Sequence, residues 1–271
     1  MERKTARIKF MPYRINSIRR RALDREVLSG TFLNLASPAT VEIAGFSGLD
    51  WVLIDCEHGP GGYETMVHQV RAAGVTPASP IVRIASNEST ATVKRVLDIG
   101  AAGVMIPWIK DAADAAKAVA AMRYPPQGVR GVAGSPRAAS YGVNADEYLQ
   151  QANESVLTVI QIERAEAVDG IEAIAAVDGV DVLFVGPMDL SVSLGHPKQW
   201  HHPRQKEAYQ KVADAARAAG KAAGILLAGP DQIKDMPEIA EMGYTFLAAG
   251  SDGALIVQGM GGIASALNAL K

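Results

Sequence analysis

Residues 103–125 read GVMIPWIKDAADAAKAVAAMRYP. A run of apolar residues, GVMIPW, passes into DAADAAKAVAAMRYP, which is alanine-rich and spaced as one face of a helix. A short buried strand followed by a helix is the unit of a parallel α/β fold, because a parallel neighbour is reached only by a crossover.

Working outward, similar strand-like runs recur as GTFLNL from Gly30, WVLIDC from Trp51, PIVRI from Pro80 and TVIQIE from Thr158. VLFVG from Val182, AAGILL from Ala222 and YTFLAAG from Tyr244 bring the set to eight. These runs are continuously apolar, not alternating, as strands buried on both faces are. Helical segments lie between most of them, such as EAYQKVADAARAAGK over residues 207–221, where Gly220 suits a C-cap. Eight alternations of strand and helix predict a closed (β/α)8 TIM barrel, with a doubly wound open sheet as the alternative. The interval 123–157 exceeds one loop and is expected to hold an excursion over the barrel mouth and a helix near residues 146–153. With no linker in sight, residues 1–271 are read as a single domain.

The chain has 271 residues, 48% hydrophobic and 21% charged, the balance of a globular protein. A formal net charge of −2 makes no case for a nucleic-acid partner or an anionic membrane. No apolar run approaches the roughly 18 residues of a membrane span. The single cysteine, Cys56, excludes an internal disulfide framework and fits a reducing cytoplasm. Residues 1–15 read as a basic N-terminal extension, ahead of a solvated first helix that carries Arg19, Arg20 and Arg21.

In a closed barrel, catalytic groups collect at the C-terminal ends of the strands. The second strand delivers Asp55, Glu57 and His58. The third ends at Arg83, an arginine in an apolar strand, which is costly unless it meets an anion. The fifth ends in Gln161 and Glu163, and the sixth leads through GPMDLS to Asp189. Glu163 and Asp189 are hard oxygen donors, suited to Mg2+ or Mn2+ rather than to structural zinc. Arg83 offers a planar fork for a carboxylate. His58 is the side-chain type most used for proton transfer, with Asp55 able to orient its ring. A metal, an anion clamp and a base are the parts that enolate chemistry on a 2-oxo acid requires.

From Gly30 onward the ordered set IDCEHGP, VRI, LDIGAAGVMIP, RYPPQGVRG, QIE, VGPMDLS and GKAAGILLA resembles the HpcH/HpaI family of class II pyruvate aldolases. The resemblance implies a barrel of the phosphoenolpyruvate/pyruvate type and a divalent metal (Mg2+ or Mn2+, with Co2+ also possible). It implies a homo-oligomer, a hexamer or trimer of dimers. Its reaction would be reversible cleavage of a 4-hydroxy-2-oxo acid to pyruvate, or a close analogue, and an aldehyde through a metal-bound enolate. By motif position, Glu163 and Asp189 would hold the metal, Arg83 would stabilise the enolate, and His58 with Asp55 would form the acid–base dyad. The backbone of Gly186 and Met188 would hold the substrate carboxylate beside Gln161, and Asp98 would face a neighbouring subunit's site. Phe32, Met188 and Leu226 would line the pocket. The chain departs from the family at Cys56, Trp108, Arg164 and Met188, none of which replaces a proposed catalytic group.

Glu57 either reaches the metal through water or supports its loop. Cys56 reads as a strand residue. His196, His201 and His202 around Trp200 read as a polar surface loop, and SDGALIVQGMGG as a turn and a closing helix. Three other functions compete. A Schiff-base aldolase needs a desolvated lysine, for which Lys110 is the nearest candidate. A CoA-ester lyase of the malyl or citryl type needs a CoA-binding surface. A barrel serving only as a binding or assembly module would have no use for the set Asp55, His58, Arg83, Glu163 and Asp189.

Overall fold

The computed structural model describes residues 18–271, and the basic extension read over residues 1–15 lies outside them. Eight parallel strands close into a barrel in chain order. They are β1 Leu28–Leu33, β2 Trp51–Asp55, β3 Ser79–Arg83, β4 Gly103–Ile106, β5 Leu157–Ile162, β6 Val182–Val185, β7 Ala222–Leu227 and β8 Tyr244–Ser251. Each falls on one of the eight apolar runs. Closure between β1 and β8 removes the open-sheet alternative.

The register explains how the interior fills. Gly30 of β1 lies opposite Trp51 of β2, and a Cβ there would stand 2.3 Å from the indole. The missing side chain is what admits the ring. Trp51 then stacks on Phe246 with centroids 4.4 Å apart and meets Phe184 edge-on at 6.2 Å. These rings and Phe32 pack the barrel solid. Truncating the wholly buried Trp51 to alanine would cost about 3–5 kcal/mol by analogy with other core aromatics.

Two expectations are corrected at the N-terminal end of the barrel. The first helix, Ile18–Leu23, is not merely solvated. Its Ile18 and Ala22 join the interior cluster, while Arg19 pairs with Asp181 at 3.0 Å and Arg21 with Asp50 at 2.8 Å. Its arginines thus hold a plug over the barrel floor. The excursion over residues 123–144 is also here, not over the mouth. It follows the helix Ala112–Met122 and precedes β5, so it belongs to the face where strands begin. Arg137 donates to the Ile99 carbonyl at 2.7 Å, and Arg130 to Asp98 at 2.8 Å, tying it down there. Its length carried no information about which end it occupied. The helix expected near residues 146–153 is present as Ala145–Ser155. Among the described residues, no helix is long and apolar enough to cross a membrane.

Candidate active site

The polar groups gather at the C-terminal ends of β2, β3, β5 and β6. Asp55 closes β2 and Arg83 closes β3, directly opposite one another in register. Arg83 donates from Nε to Asp55 Oδ1 at 2.9 Å and from Nη2 to Oδ2 at 2.7 Å. Both side chains are buried. Burial opposes ionisation of Asp55, but the Arg83 hydrogen bonds and charge outweigh it and hold the carboxyl below its usual range. Asp55 Oδ1 also accepts the backbone N–H groups of Glu57 at 3.1 Å and His58 at 3.4 Å. The anion that Arg83 requires is therefore the protein's own Asp55.

The expectation that Asp55 orients the His58 ring has no contact behind it. The His58 ring is 64% exposed, and its Nε2 stands 3.9 Å from Glu57 Oε2. Glu57 reaches inward, where Oε2 lies 3.0 Å from Arg83 Nη1. That oxygen is buried and makes no aligned hydrogen bond.

Glu163 follows the last residue of β5 and is buried. Its Oε1 accepts the Trp108 backbone N–H at 2.7 Å, and its Oε2 accepts from Gln161 Nε2. Burial lifts its carboxyl to about 7; the Trp108 N–H opposes that shift, and the charges of Glu57 and Asp189 add to it. Asp189 stands in the first turn of the helix Pro187–Ser193, which starts straight after β6. Gly186 brings that helix close. A Cβ there would lie 2.9 Å from Gln161 Nε2 and 3.1 Å from Glu163 Oε2. Its own N–H bonds the Ile162 carbonyl at 3.1 Å, so it is already committed.

Phe32 lies beneath the cluster, with its ring centroid 5.2 Å from the Arg83 guanidinium. Leu226 packs against the interior core, and Met188 is exposed. Asp98 is apart from all of these. It ends the helix Thr90–Asp98 at the barrel's other face, paired with Arg130. Arg164 binds Glu166 at 2.7 Å, with its guanidinium 5.5 Å from the Trp108 ring. Burial pushes the Cys56 thiol up to about 11, so it is a poor nucleophile. Lys110 is 55% exposed and 4.0 Å from Asp114, far from the desolvation an amine nucleophile needs. The loop over residues 194–202 is mostly exposed, with His201 at 2.8 Å from Asp235, but the His196 ring is buried in it against Gln205 at 3.0 Å and stacked on His202. The stretch read as a turn before a closing helix is itself helix from Asp252 to Asn268.

The sequence leaves Glu57 with two alternative roles and gives Trp108 none in the site. Their signal was position: Glu57 is the second residue past the strand-end Asp55, and Trp108, one of the departures from the family pattern, the second residue beyond β4.

The donor set suits a divalent cation. Asp55, Glu57 and Glu163 share a single guanidinium, and Asp189 adds its charge beside Glu163, leaving the pocket short of positive charge. Burial lifts the Glu163 carboxyl to about 7, and the buried Glu57 Oε2 has the Arg83 ion pair but no aligned hydrogen bond. Among the described residues, no three of His, Cys, Asp and Glu converge as a closed cage. Two carboxylates with other positions left to water and substrate fit a magnesium-type site.

The family described as HpcH/HpaI aldolase/citrate lyase matches residues 28–259. The chain is 40% identical over 228 residues to 5-keto-4-deoxy-D-glucarate aldolase from Enterobacter sp. (strain 638), covering 84% of this chain and 87% of that one. A crystal structure of an HpcH/HpaI aldolase/citrate lyase family protein from Burkholderia cenocepacia J2315 superposes with a TM-score of 0.87 at 38% identity, over 93% of this chain and 99% of that one. The citrate synthase SbnG superposes with a TM-score of 0.82 at 29% identity, over 93% and 97% of the two chains. The chain belongs to the HpcH/HpaI aldolase/citrate lyase family.

Proposed function

We propose that this protein is a divalent-metal-dependent aldolase that reversibly cleaves a 4-hydroxy-2-oxo acid to pyruvate, or a close analogue, and an aldehyde. The observation that carries this reading is the buried Arg83 ringed by Asp55, Glu57 and Glu163 at the strand ends, with Asp189 beside them. Similarity to a 5-keto-4-deoxy-D-glucarate aldolase makes a deoxy keto sugar acid the first substrate to try.

Glu163 and Asp189 would hold the metal, Mg2+ or Mn2+ before Co2+, since both offer only hard oxygen. When bound, the cation polarises the 2-oxo group and favours the enolate. Arg83, fixed by Asp55, supplies a permanent positive charge beside the developing oxyanion. His58, at the mouth with its Nε2 3.9 Å from Glu57 Oε2, takes the proton of the C4 hydroxyl. The C3–C4 bond then breaks, its electron pair passes to the C3–C2–O unit as an enolate, and the C4 carbonyl leaves as the aldehyde. Return of a proton to C3 gives the pyruvate methyl group.

A homo-oligomer, hexameric by family pattern, goes with this reading. Its support is the helix Asp252–Asn268, which leaves Leu255, Val257, Met260, Ile263 and Leu267 exposed along one chain.

The test is deuterium exchange at the methyl group of pyruvate, followed by NMR, first with EDTA and then with Mg2+ or Mn2+. Metal-dependent exchange supports enolate formation without knowledge of the aldehyde. Absence of exchange with every metal would overturn the reading.

A further inference from the structure

Trp108 occupies a backbone conformation that an aromatic residue seldom adopts, with φ of +57°. Strain of that kind persists only where the surroundings enforce it, and its contacts here are unusually complete. Its N–H donates to Glu163 Oε1 at 2.7 Å, and its carbonyl accepts from Asn87 Nδ2 at 3.0 Å. Its indole Nε1 donates to Glu57 Oε1 at 2.9 Å. The Arg164 guanidinium lies 5.5 Å from its ring, and Arg164 is itself anchored on Glu166. One residue thus bonds both Glu57 and Glu163, two carboxylates whose charges act on Arg83.

The two bonds differ in kind. The bond to Glu163 comes from the backbone and is available to any residue but proline at this position. The bond to Glu57 comes from the side chain, and only a residue carrying a side-chain hydrogen-bond donor can supply it. With Oε1 held by the indole, Glu57 Oε2 is turned to lie 3.0 Å from Arg83 Nη1 and 3.9 Å from His58 Nε2. Asp55 is spent on Arg83, so Glu57 is the carboxylate next to the His58 ring. We propose that Trp108 is a positioning residue: its indole N–H sets the Glu57 carboxylate between Arg83 and His58, and so governs the placement of the base. The kinetic part of this inference rests on the aldolase reading.

The experiment has one arm that needs no activity. In a 15N-labelled sample, the protein's three tryptophans give three indole resonances, and Trp108→Phe assigns one by removing it. Glu57→Gln, which loses the charge on the acceptor, is expected to displace that same resonance and leave the others in place. A Trp108 resonance unmoved by Glu57→Gln overturns the inference. If Trp108→Phe does not fold, the Glu57→Gln spectrum still decides, since any indole other than Trp108 lacks a bond to Glu57.

The second arm follows pyruvate methyl exchange. Trp108→Phe is expected to slow exchange at saturating pyruvate by about 10–100-fold with KM unchanged, as losses of outer supporting groups do. Trp108→Gln, which restores a side-chain N–H, is expected to recover part of the rate. The double variant Trp108→Phe/Glu57→Gln is expected to be no slower than Glu57→Gln alone, because the two act as one unit. Multiplicative losses, or a Trp108→Gln as slow as Trp108→Phe, would overturn the inference. A wild type without any exchange would sink the aldolase reading instead, while the indole resonance would still report on the hydrogen bond.

Discussion

Asp55 and Arg83 are register partners at the ends of β2 and β3, joined by two hydrogen bonds of 2.9 and 2.7 Å and shielded from water. A buried pair of this geometry is weak as a source of stability but severe to break, because the survivor keeps its charge without a counter-ion.

Asp55→Asn is therefore expected to destabilise the fold by about 3–5 kcal/mol, the range for breaking a buried ion pair. Urea unfolding of the two proteins at one pH measures it. An unchanged midpoint would mean that Glu57, 3.0 Å from Arg83 Nη1, suffices as the counter-ion.

Arg83→Ala is expected to abolish both aldol turnover and pyruvate methyl exchange, since the fixed charge beside the enolate oxygen goes with it. Exchange surviving at the wild-type rate would remove Arg83 from any enolate role.

Glu163→Ala is expected to weaken Mn2+ binding by at least tenfold, as loss of one of two protein ligands should. Calorimetric titration gives the answer without turnover. A wild-type isotherm would exclude Glu163 as a ligand.

The fold was legible because parallel barrel strands are buried on both faces, so each appears as an uninterrupted apolar run between helical stretches. The positions of Asp55, Arg83, Glu163 and Asp189 at the strand ends followed from that. Their partners did not. Asp55 lies three residues from His58 in sequence but faces Arg83 across a strand pair, and the Asp55–Arg83 register exists only once β2 and β3 are aligned. Trp108 was invisible for a different reason: its hydrogen bond to Glu57 depends on a left-handed backbone at a tryptophan, which no residue preference would suggest. The excursion over residues 123–144 was placed at the wrong face because its length was weighed and its position was not: it leaves the helix Ala112–Met122, and a helix returns the chain to the face where strands begin.

Gly186→Ala tests how tightly β6 packs on the Glu163 carboxylate. The added Cβ would sit 2.9 Å from Gln161 Nε2 and 3.1 Å from Glu163 Oε2, so one of them must move. A fall in kcat/KM of roughly tenfold, about 1.4 kcal/mol of transition-state stabilisation, is expected with little change in unfolding midpoint. Wild-type kinetics would show that this carboxylate tolerates displacement.

The metal-free protein should lose stability as pH rises. Burial lifts the Glu163 carboxyl from 4.5 to about 7. Between those values the folded chain keeps a proton that the unfolded chain has released, so stability falls with pH. The contribution is complete below pH 4.5 and is lost as pH passes about 7. The change is at most about 3 kcal/mol. Urea unfolding at pH 5 and pH 8 in EDTA measures it, and Glu163→Gln should flatten the profile. Added Mg2+ at pH 8 should restore stability, because a ligand that binds only the folded carboxylates shifts the equilibrium by mass action.

The helix Asp252–Asn268 gives the last test. Among its residues only Asp252 is buried, while Val257, Met260 and Ile263 are 72%, 67% and 64% exposed. Isolated apolar side chains on a surface are ordinary, but a row of them along one helix marks a contact surface. If that row is covered in a homo-oligomer, Val257→Glu, Met260→Glu and Ile263→Glu together would place three carboxylates in an apolar interface, where burying unpaired charge is prohibitive. Light scattering is then expected to report a smaller particle than the wild type, with far-ultraviolet circular dichroism unchanged because the barrel strands do not depend on this helix face. If the triple variant keeps the wild-type mass, the apolar row faces solvent, and any oligomer must be built through another surface.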